Sequence, residues 1–260
     1  MSAVDLTATP GRRTTTTAAS RVWRVTRLLT ANPWTTVWLP LIIMSIIFVL
    51  TLGIWWLVSA SIDPSTAGES TDGVRYNGAS SYIFVYMLVV AVQSVNLVFP
   101  LALGYGSTRR AFTLGAGLAF VLLSLGYSVV MTLGAWLEQL TGGWGIGGIF
   151  FSTVMFDTDA GWIAQWWIYL CWFVFFFFTG MGFASVFVRW KATGLVSAFA
   201  VLALLLLGAI ALVTLTDNWP WVWEVLSDAG TLGIASALLV PAVVAAAIGH
   251  LVLRRATPRG

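Results

Sequence analysis

Six long apolar stretches constrain the fold of this chain more than any other feature. A helix needs about 20 apolar residues to cross roughly 30 Å of hydrocarbon. Each stretch reaches that length, and none has Asp, Glu, Lys or Arg in its middle. The stretches are Trp34 to Ala60, Ser81 to Leu103, Ala111 to Leu133, Ile163 to Val188, Gly194 to Leu215 and Thr231 to Leu253. They predict an all-α, polytopic membrane protein with six transmembrane helices.

The composition excludes the common soluble classes. Only 9% of the residues are charged and 59% are hydrophobic, whereas soluble domains are roughly a quarter charged. Such a chain is neither a water-soluble enzyme nor a disordered segment. Its one cysteine, Cys171, lies in an apolar run, so it forms no intramolecular disulfide and no cysteine-based metal cluster.

The charges separate between alternate loops, which predicts the orientation. With six spans, twelve of the 13 Lys and Arg residues fall on one side, and nine of the ten acidic residues fall on the other. Both termini are therefore expected in the cytoplasm, and no single basic patch for nucleic acid remains. The excess of Arg over Lys favours a high-GC bacterium, hence a bacterial plasma membrane. The cytoplasmic set is Arg12, Arg13, Arg21, Arg24, Arg27, Arg109, Arg110, Arg189, Lys191, Arg254, Arg255 and Arg259, and Arg75 is the exception.

The chain is expected to form one domain after a polar lead. Residues 1–19 are rich in Thr and lack the apolar core of a cleavable signal peptide, which predicts a disordered cytoplasmic segment. Residues 20–260 then form a single six-helix domain. Its first part, Ser20 to Thr30, has the pattern of an amphipathic helix at the membrane interface, with apolar and arginine-bearing faces. That helix either anchors to anionic lipid or contacts a cytoplasmic partner.

Several short sequence signals for turns, helix capping and binding lie together in the loop after the second span. Gly104 and Gly106 allow a tight reversal with positive φ, and Ser107 or Thr108 offers an N-cap for the next helix. Arg109 and Arg110 follow at once. Cations at a helix N-terminus oppose the macrodipole, so another group must favour them there. Lipid phosphate and an acidic groove on a partner protein are the two alternatives.

This loop resembles the short cytoplasmic loop of six-span permease subunits of ABC-2-type transporters. The residues that match the motif are Phe99, Pro100, Gly104, Ser107 or Thr108, Arg109, Arg110 and Phe112. The resemblance implies that a cytosolic ABC ATPase couples to the chain at Gly104, Gly106, Ser107, Thr108, Arg109, Arg110 and Phe112, together with Arg21, Arg24 and Arg27. It also implies a second permease subunit, in a homodimer or heterodimer, and export of an apolar or amphipathic substrate.

Missing motifs limit what the chain does alone. There is no Gly-rich phosphate loop, so ATP and Mg would be bound by the partner ATPase, and this chain would bind no cofactor. No metal-ligand cluster and no catalytic constellation is present, so the chain is not expected to be an enzyme. The spans also lack the ionisable groups that ion-driven carriers use. Transport is then passive or powered by another subunit. Three alternative functions are not excluded: an assembly or membrane-anchor subunit, a channel and a lipid scramblase.

A few residues within and between the spans are further candidates. Gln93 and Asn96 share one face of the second span and either bond between helices or line a substrate path. His250, near the inner end of the last span, is expected to be hydrogen-bonded or to lie at the level of the lipid headgroups, rather than to carry protons. Gly180 and Gly182 permit a bend in the fourth span. Trp219, Trp221 and Trp223 belong either to an interfacial aromatic belt or to a short surface helix, which the resemblance implies is an outer gate.

Overall fold

The computed structural model describes residues 18–61, 78–153 and 155–255 of the 260-residue chain, and this part folds into helices and short connections without strands. A π-helical turn at Trp34–Trp38 precedes the second helix, and a 3₁₀ turn at Ala79–Ser81 precedes the third. The α-helices are α1 (Ala18–Leu29), α2 (Leu39–Ser61), α3 (Tyr82–Gly104), α4 (Arg109–Leu140), α5 (Trp162–Leu215), α6 (Trp219–Ala237) and α7 (Leu239–Arg255).

Five helical segments of the described chain are long and apolar enough to cross a membrane. They are Trp34–Ser61, Ala79–Gly104, Arg109–Leu140, Trp162–Leu215 and Trp219–Arg254. The expectation of an all-helical chain is confirmed for the described residues, and the long apolar helices are compatible with a membrane protein. The predicted polar lead lies largely outside the described residues, although α1 begins at Ala18, two residues before the predicted start.

The helix α5 is too long for one crossing and breaks at Lys191. Its 54 residues would extend about 80 Å if straight. Lys191 has φ 57° and ψ −150°, which is not helical, and the rings of Phe183 and Phe199 stack with centroids 4.8 Å apart. In an unbroken helix these residues would be about 24 Å apart. The chain therefore folds back at Lys191 into a first arm (residues 162–190) and a second arm (residues 192–215).

The first arm of α5 is the centre of the core. Phe173 contacts Phe84 of α3 with ring centroids 4.5 Å apart, and Phe177 stacks on Phe120 of α4 at 5.2 Å. Such aromatic pairs add about 0.5–1.5 kcal/mol each beyond their buried area. The second arm is mostly exposed apolar surface, which suits contact with lipid.

Close approach to the first arm depends on the two glycines predicted to permit a bend. A Cβ at Gly180 would lie 2.6 Å from the carbonyl oxygen of Leu88 in α3. One at Gly182 would lie 3.3 Å from the carbonyl oxygen of Ala245 in α7. Neither glycine departs from helical φ and ψ. Their role is to let α3 and α7 pack closely against the arm.

The helix α6 is also interrupted, at Gly230. Gly230 has φ 58° and ψ −175°, which separates a short helix (residues 219–229) from the continuation of α6 into α7. An L-residue is strained at these angles, so glycine is needed there. The break lies one residue before Thr231, where the sequence predicted the last span to begin.

Candidate functional site

The turn between α3 and α4 is built largely as the sequence predicts. Gly106 has φ 76°, and the Thr108 side chain accepts a hydrogen bond from the Ala111 amide at 3.1 Å. Thr108, rather than Ser107, is therefore the N-cap. The expectation of a positive φ at Gly104 is wrong, because α3 continues through this residue and only Gly106 makes the left-handed turn.

Arg109 is held by the end of α7. Its Nη1 donates a hydrogen bond to the carbonyl oxygen of Arg254 at 3.1 Å. Carbonyls in the last turn of a helix lack intrahelical partners and carry partial negative charge. This contact supplies part of the compensation that an arginine beside a helix N-terminus requires. The sequence analysis missed it because the two residues are 145 positions apart.

A second bond fastens the same two helices. The Thr113 hydroxyl lies 2.9 Å from Nδ1 of His250, which confirms the expected hydrogen-bonded histidine. Phe112 is fully buried and packs edge-on against Phe99, with centroids 5.0 Å apart. Although the resemblance includes Phe112 in the coupling loop, this side chain belongs to the core and positions the turn from beneath.

The helix α1 lies across the first turns of α4. Val25 is 1% exposed, and the Thr26 hydroxyl donates to the Gly115 carbonyl oxygen at 3.0 Å. A Cβ at Gly115 would lie 2.6 Å from the Cβ of Val25, so the approach depends on the glycine. The predicted apolar face of α1 is confirmed, and it covers protein rather than lipid.

The opposite face of α1 and the start of α4 leave cations exposed. Arg21, Arg24, Arg27 and Arg110 are exposed, and Arg109 is half-buried. Arg24 donates from Nε to the Ser20 carbonyl oxygen at 3.3 Å, a bond that leaves its charge uncompensated. None of the five forms an ion pair with a carboxylate in the described residues. We call this surface, formed by Arg21, Arg24, Arg27, Arg109 and Arg110, the arginine end.

The two amides of α3 differ in their exposure. Gln93 is exposed, and Asn96 is half-buried with an Oδ1 atom that is inaccessible to solvent and has no hydrogen-bond partner among the described residues. Neither borders the cleft described below. That Gln93 and Asn96 line a substrate path or bond to another helix stays a prediction.

Trp219, Trp221 and Trp223 lie on the short helix of residues 219–229. All three are exposed, and Trp219 donates from Nε1 to the Thr214 hydroxyl at 3.2 Å, at the end of the second arm. The helical expectation for this segment is confirmed. The gating role implied by the resemblance stays a prediction.

Glu138, near the other end of α4, has a structural role that the sequence analysis missed. It is 4% exposed, and its Oε2 accepts bonds from the amides of Phe150 and Phe151 at 2.7 and 2.9 Å. Oε2 also accepts from Nε1 of Trp144, and Oε1 accepts from the Ser152 amide. One carboxylate thus anchors the glycine-rich loop that the sequence analysis treated only as a connection.

The loop anchored by Glu138 packs back onto the bundle. Phe150 and Phe151 are buried against Phe48 of α2, and Gly148 lies so close to the Trp55 ring that no Cβ would fit. Beside the loop is an open cleft of about 570 Å³, bordered by Asp157 and Asp159 among others. We call Glu138 and residues 142–153 the loop end.

Comparison with known proteins adds no assignment: no family model, curated protein or solved structure matches this chain.

Proposed function

We propose that this chain is the permease subunit of an ABC-2-type ATP-binding cassette exporter, with six membrane spans and both termini in the cytoplasm. The observation that supports it best is the arginine end. An amphipathic helix is docked on the first turns of a span, and together they expose arginines that have no carboxylate partner in the described chain. Exposed, uncompensated cations on a fixed scaffold suit an acidic groove on a cytosolic ATPase.

The six-span topology is supported by the reversal at Lys191. If each arm of α5 crosses once, the two arms add to Trp34–Ser61, Ala79–Gly104, Arg109–Leu140 and the last segment after Gly230. Each arm is long enough, since about 20 residues are needed. Lys191 and Arg254 then lie on the same side as Arg110, as the bias of Lys and Arg toward the cytoplasm requires.

A push on the arginine end has a physical route into the bundle. The contact of Thr26 with Gly115 joins α1 to α4, and the bond of Thr113 with His250 joins α4 to α7. Gly182 in turn brings α7 against the first arm of α5. Movement of an ATP-bound partner would shift these helices together and carry an apolar or amphipathic substrate outward. ATP and Mg would be bound by that partner, not by this chain.

Charge reversal at the arginine end tests the proposal. We expect Arg109→Glu with Arg110→Glu to abolish co-purification of a P-loop ATPase from the native membrane and to abolish substrate-stimulated ATP turnover. The matched control is Arg189→Glu. Arg189 is also exposed, but its guanidinium lies over the Trp190 ring at 4.6 Å, and it is not one of the five residues of the arginine end.

The outcomes separate the rival functions. ATPase association that survives the double reversal would contradict the coupling role. A partner that binds without any substrate-stimulated turnover would indicate a membrane-anchor or assembly subunit. Transport or lipid scrambling by the purified chain in liposomes without ATP would indicate a passive channel or scramblase.

A further inference from the structure

We propose that the cleft beside the loop end binds a small organic cation that carries a protonated primary amine. Three acceptor side chains that border the cleft, those of Asp157, Asp159 and Gln165, would hold the ammonium group. The inference rests on the proposed function only in placing this cleft on the outer side of the membrane. Binding itself requires neither the ATPase nor transport.

The side chain of Gln165 is buried but keeps one acceptor without a partner. It is 5% exposed, and its Nε2 donates to the Phe156 carbonyl oxygen at 2.7 Å and to the Tyr169 hydroxyl at 3.0 Å. Because that carbonyl can only accept a bond, the amide is fixed with Nε2 toward the protein. Its Oε1 has no hydrogen-bond partner in the described chain and is not one of the unpartnered atoms sealed from solvent there. Since Gln165 borders the cleft, this oxygen is reached from the cleft.

Asp157 and Asp159 add two exposed carboxylates at the same cleft. Neither side chain forms an ion pair or a hydrogen bond in the described chain. The backbone at Asp157 is fixed, because its amide donates to the Thr153 carbonyl oxygen at 2.9 Å. The preceding residue, Phe156, is 1% exposed and is bonded to the Gln165 amide. The Asp157 carboxylate and the Gln165 oxygen therefore belong to one fixed part of the structure.

The charges around the cleft add up to a negative field. Three carboxylates border it, those of Asp157, Asp159 and Glu138, and no Lys, Arg or His of the described chain does so. The N-terminus of α5 also lies there, at Gly161 and Trp162, but a helix terminus carries only about half a positive charge. Glu138 already accepts four N–H bonds and has little capacity left for a ligand. It adds negative charge, while Asp157 and Asp159 keep free acceptors for a cation.

The size and lining of the cleft suit an organic cation. Its volume is about 570 Å³, within the range of about 300–1,000 Å³ that is typical of small-molecule sites. Trp162, which is 43% exposed, and Ile149 supply apolar surface beside the acceptors. An indole ring attracts cations and also packs against an apolar body. A primary ammonium group has three N–H donors, enough for the two carboxylates and the Gln165 oxygen.

Calorimetric titration of the full chain in detergent with 2-phenylethylammonium tests this inference. We expect saturable binding of one cation per chain, and about tenfold weaker binding of 2-phenylethanol, which has the same apolar body without the charge. The 2-phenylethyl-trimethylammonium ion keeps the charge but has no N–H donor, so its binding should be about threefold weaker. A blank titration of detergent alone accounts for partition into micelles.

Two matched double variants test whether the amine binds at this cleft. Asp157→Asn with Asp159→Asn should weaken binding about fivefold, because two exposed carboxylates at the cleft are lost. Glu224→Gln with Asp228→Asn also removes two exposed carboxylates, but from the short helix of residues 219–229, which does not border the cleft. This control should leave binding unchanged. Thermal unfolding in detergent verifies that both double variants are folded.

Several results would overturn the inference. They are the lack of saturable binding, equal binding of the alcohol, equal binding of the trimethylammonium ion, and equal weakening by the two double variants. Binding of Ca²⁺ in a parallel titration without binding of the amine would identify a metal site instead. Because the assay uses this chain alone, its failure leaves the coupling proposal standing. Arg109→Glu with Arg110→Glu should in turn leave amine binding unchanged.

Discussion

Arg110 and Glu138 stand near opposite ends of α4, about 42 Å apart along the helix axis, and their environments differ in kind. The glutamate is buried and accepts four N–H bonds from the loop that follows it. The arginine is exposed and has no carboxylate partner in the described chain. The loop end thus uses its charge to fix its own backbone, whereas the arginine end leaves its charges available.

This difference indicates which end is built to meet another molecule. A buried carboxylate whose oxygens are already bonded has little capacity left for a ligand. Exposed guanidinium groups keep most of their donors free and attract acidic surfaces at long range.

The largest expected effect is the loss of stability when the loop end loses its anchoring carboxylate. Glu138→Ala should lower the free energy of unfolding by about 3 kcal/mol, because buried amide donors lose their acceptor. Thermal unfolding in detergent measures the loss, and hydrogen exchange should show lost protection at residues 150–152. The control is Gln139→Ala, at an exposed neighbour whose side chain has no hydrogen bond in the described chain. Equal stability of the two variants would contradict the anchoring role of Glu138.

The next largest effect is expected when α1 is undocked from α4. Gly115→Leu introduces a side chain where even a Cβ would meet Val25, and overpacking of this kind costs about 1–3 kcal/mol. Trypsin should then cleave faster after Arg24 and Arg27 in the folded protein. Gly126→Leu, on an exposed part of the same helix with open space around it, should leave the cleavage rate unchanged. Similar rates for both variants would mean that α1 does not depend on this contact.

A smaller effect comes from the bond between α4 and α7. Thr113→Val removes the hydroxyl that contacts His250 and should cost about 1 kcal/mol in thermal unfolding. Thr113→Ser should retain most of the stability. Thr132→Val is the control, since that hydroxyl bonds only to the Ser128 carbonyl in its own helix. A loss at position 132 as large as that at 113 would argue against the interhelical bond.

The smallest effect on stability is expected at Lys191, where α5 reverses its direction. Lys191 occupies a φ and ψ combination that is nearly restricted to glycine. Lys191→Gly should therefore raise the free energy of unfolding by about 0.5–1 kcal/mol. Lys191→Ala removes the same charge and keeps the Cβ, so it should give no gain. Stabilisation by alanine equal to that by glycine would assign the effect to charge instead of backbone strain.

Local patterns in the sequence predicted the helices well. The apolar stretches predicted the ends of the long apolar helices to within a few residues, except that α4 continues from the predicted Leu133 to Leu140. The apolar arc of α1 and the cap at Thr108 were also correct. These features depend on neighbours within about one helical turn, where residue spacing is informative.

Contacts between distant segments could not be predicted in this way. The bond of Arg109 to Arg254 and the bonds around Glu138 depend on where other backbone groups lie after folding. Composition also fails to distinguish the two arms of α5, which are both apolar although only the first is central to the core. A lone acidic residue followed by a glycine-rich loop was the available signal for Glu138, and spacing alone did not reveal its partners.

The most direct test of the account is the side of the membrane on which the two regions lie. In a Cys171→Ser background, single cysteines at Tyr105, which is exposed in the turn beside the arginine end, and at Trp221, which is exposed on the short helix of residues 219–229, can be labelled with a membrane-impermeant maleimide. We expect position 221 to react in intact cells and position 105 to react only in inverted vesicles. Reaction of both positions from the same side would contradict the six-span topology and the cytoplasmic placement of the arginine end.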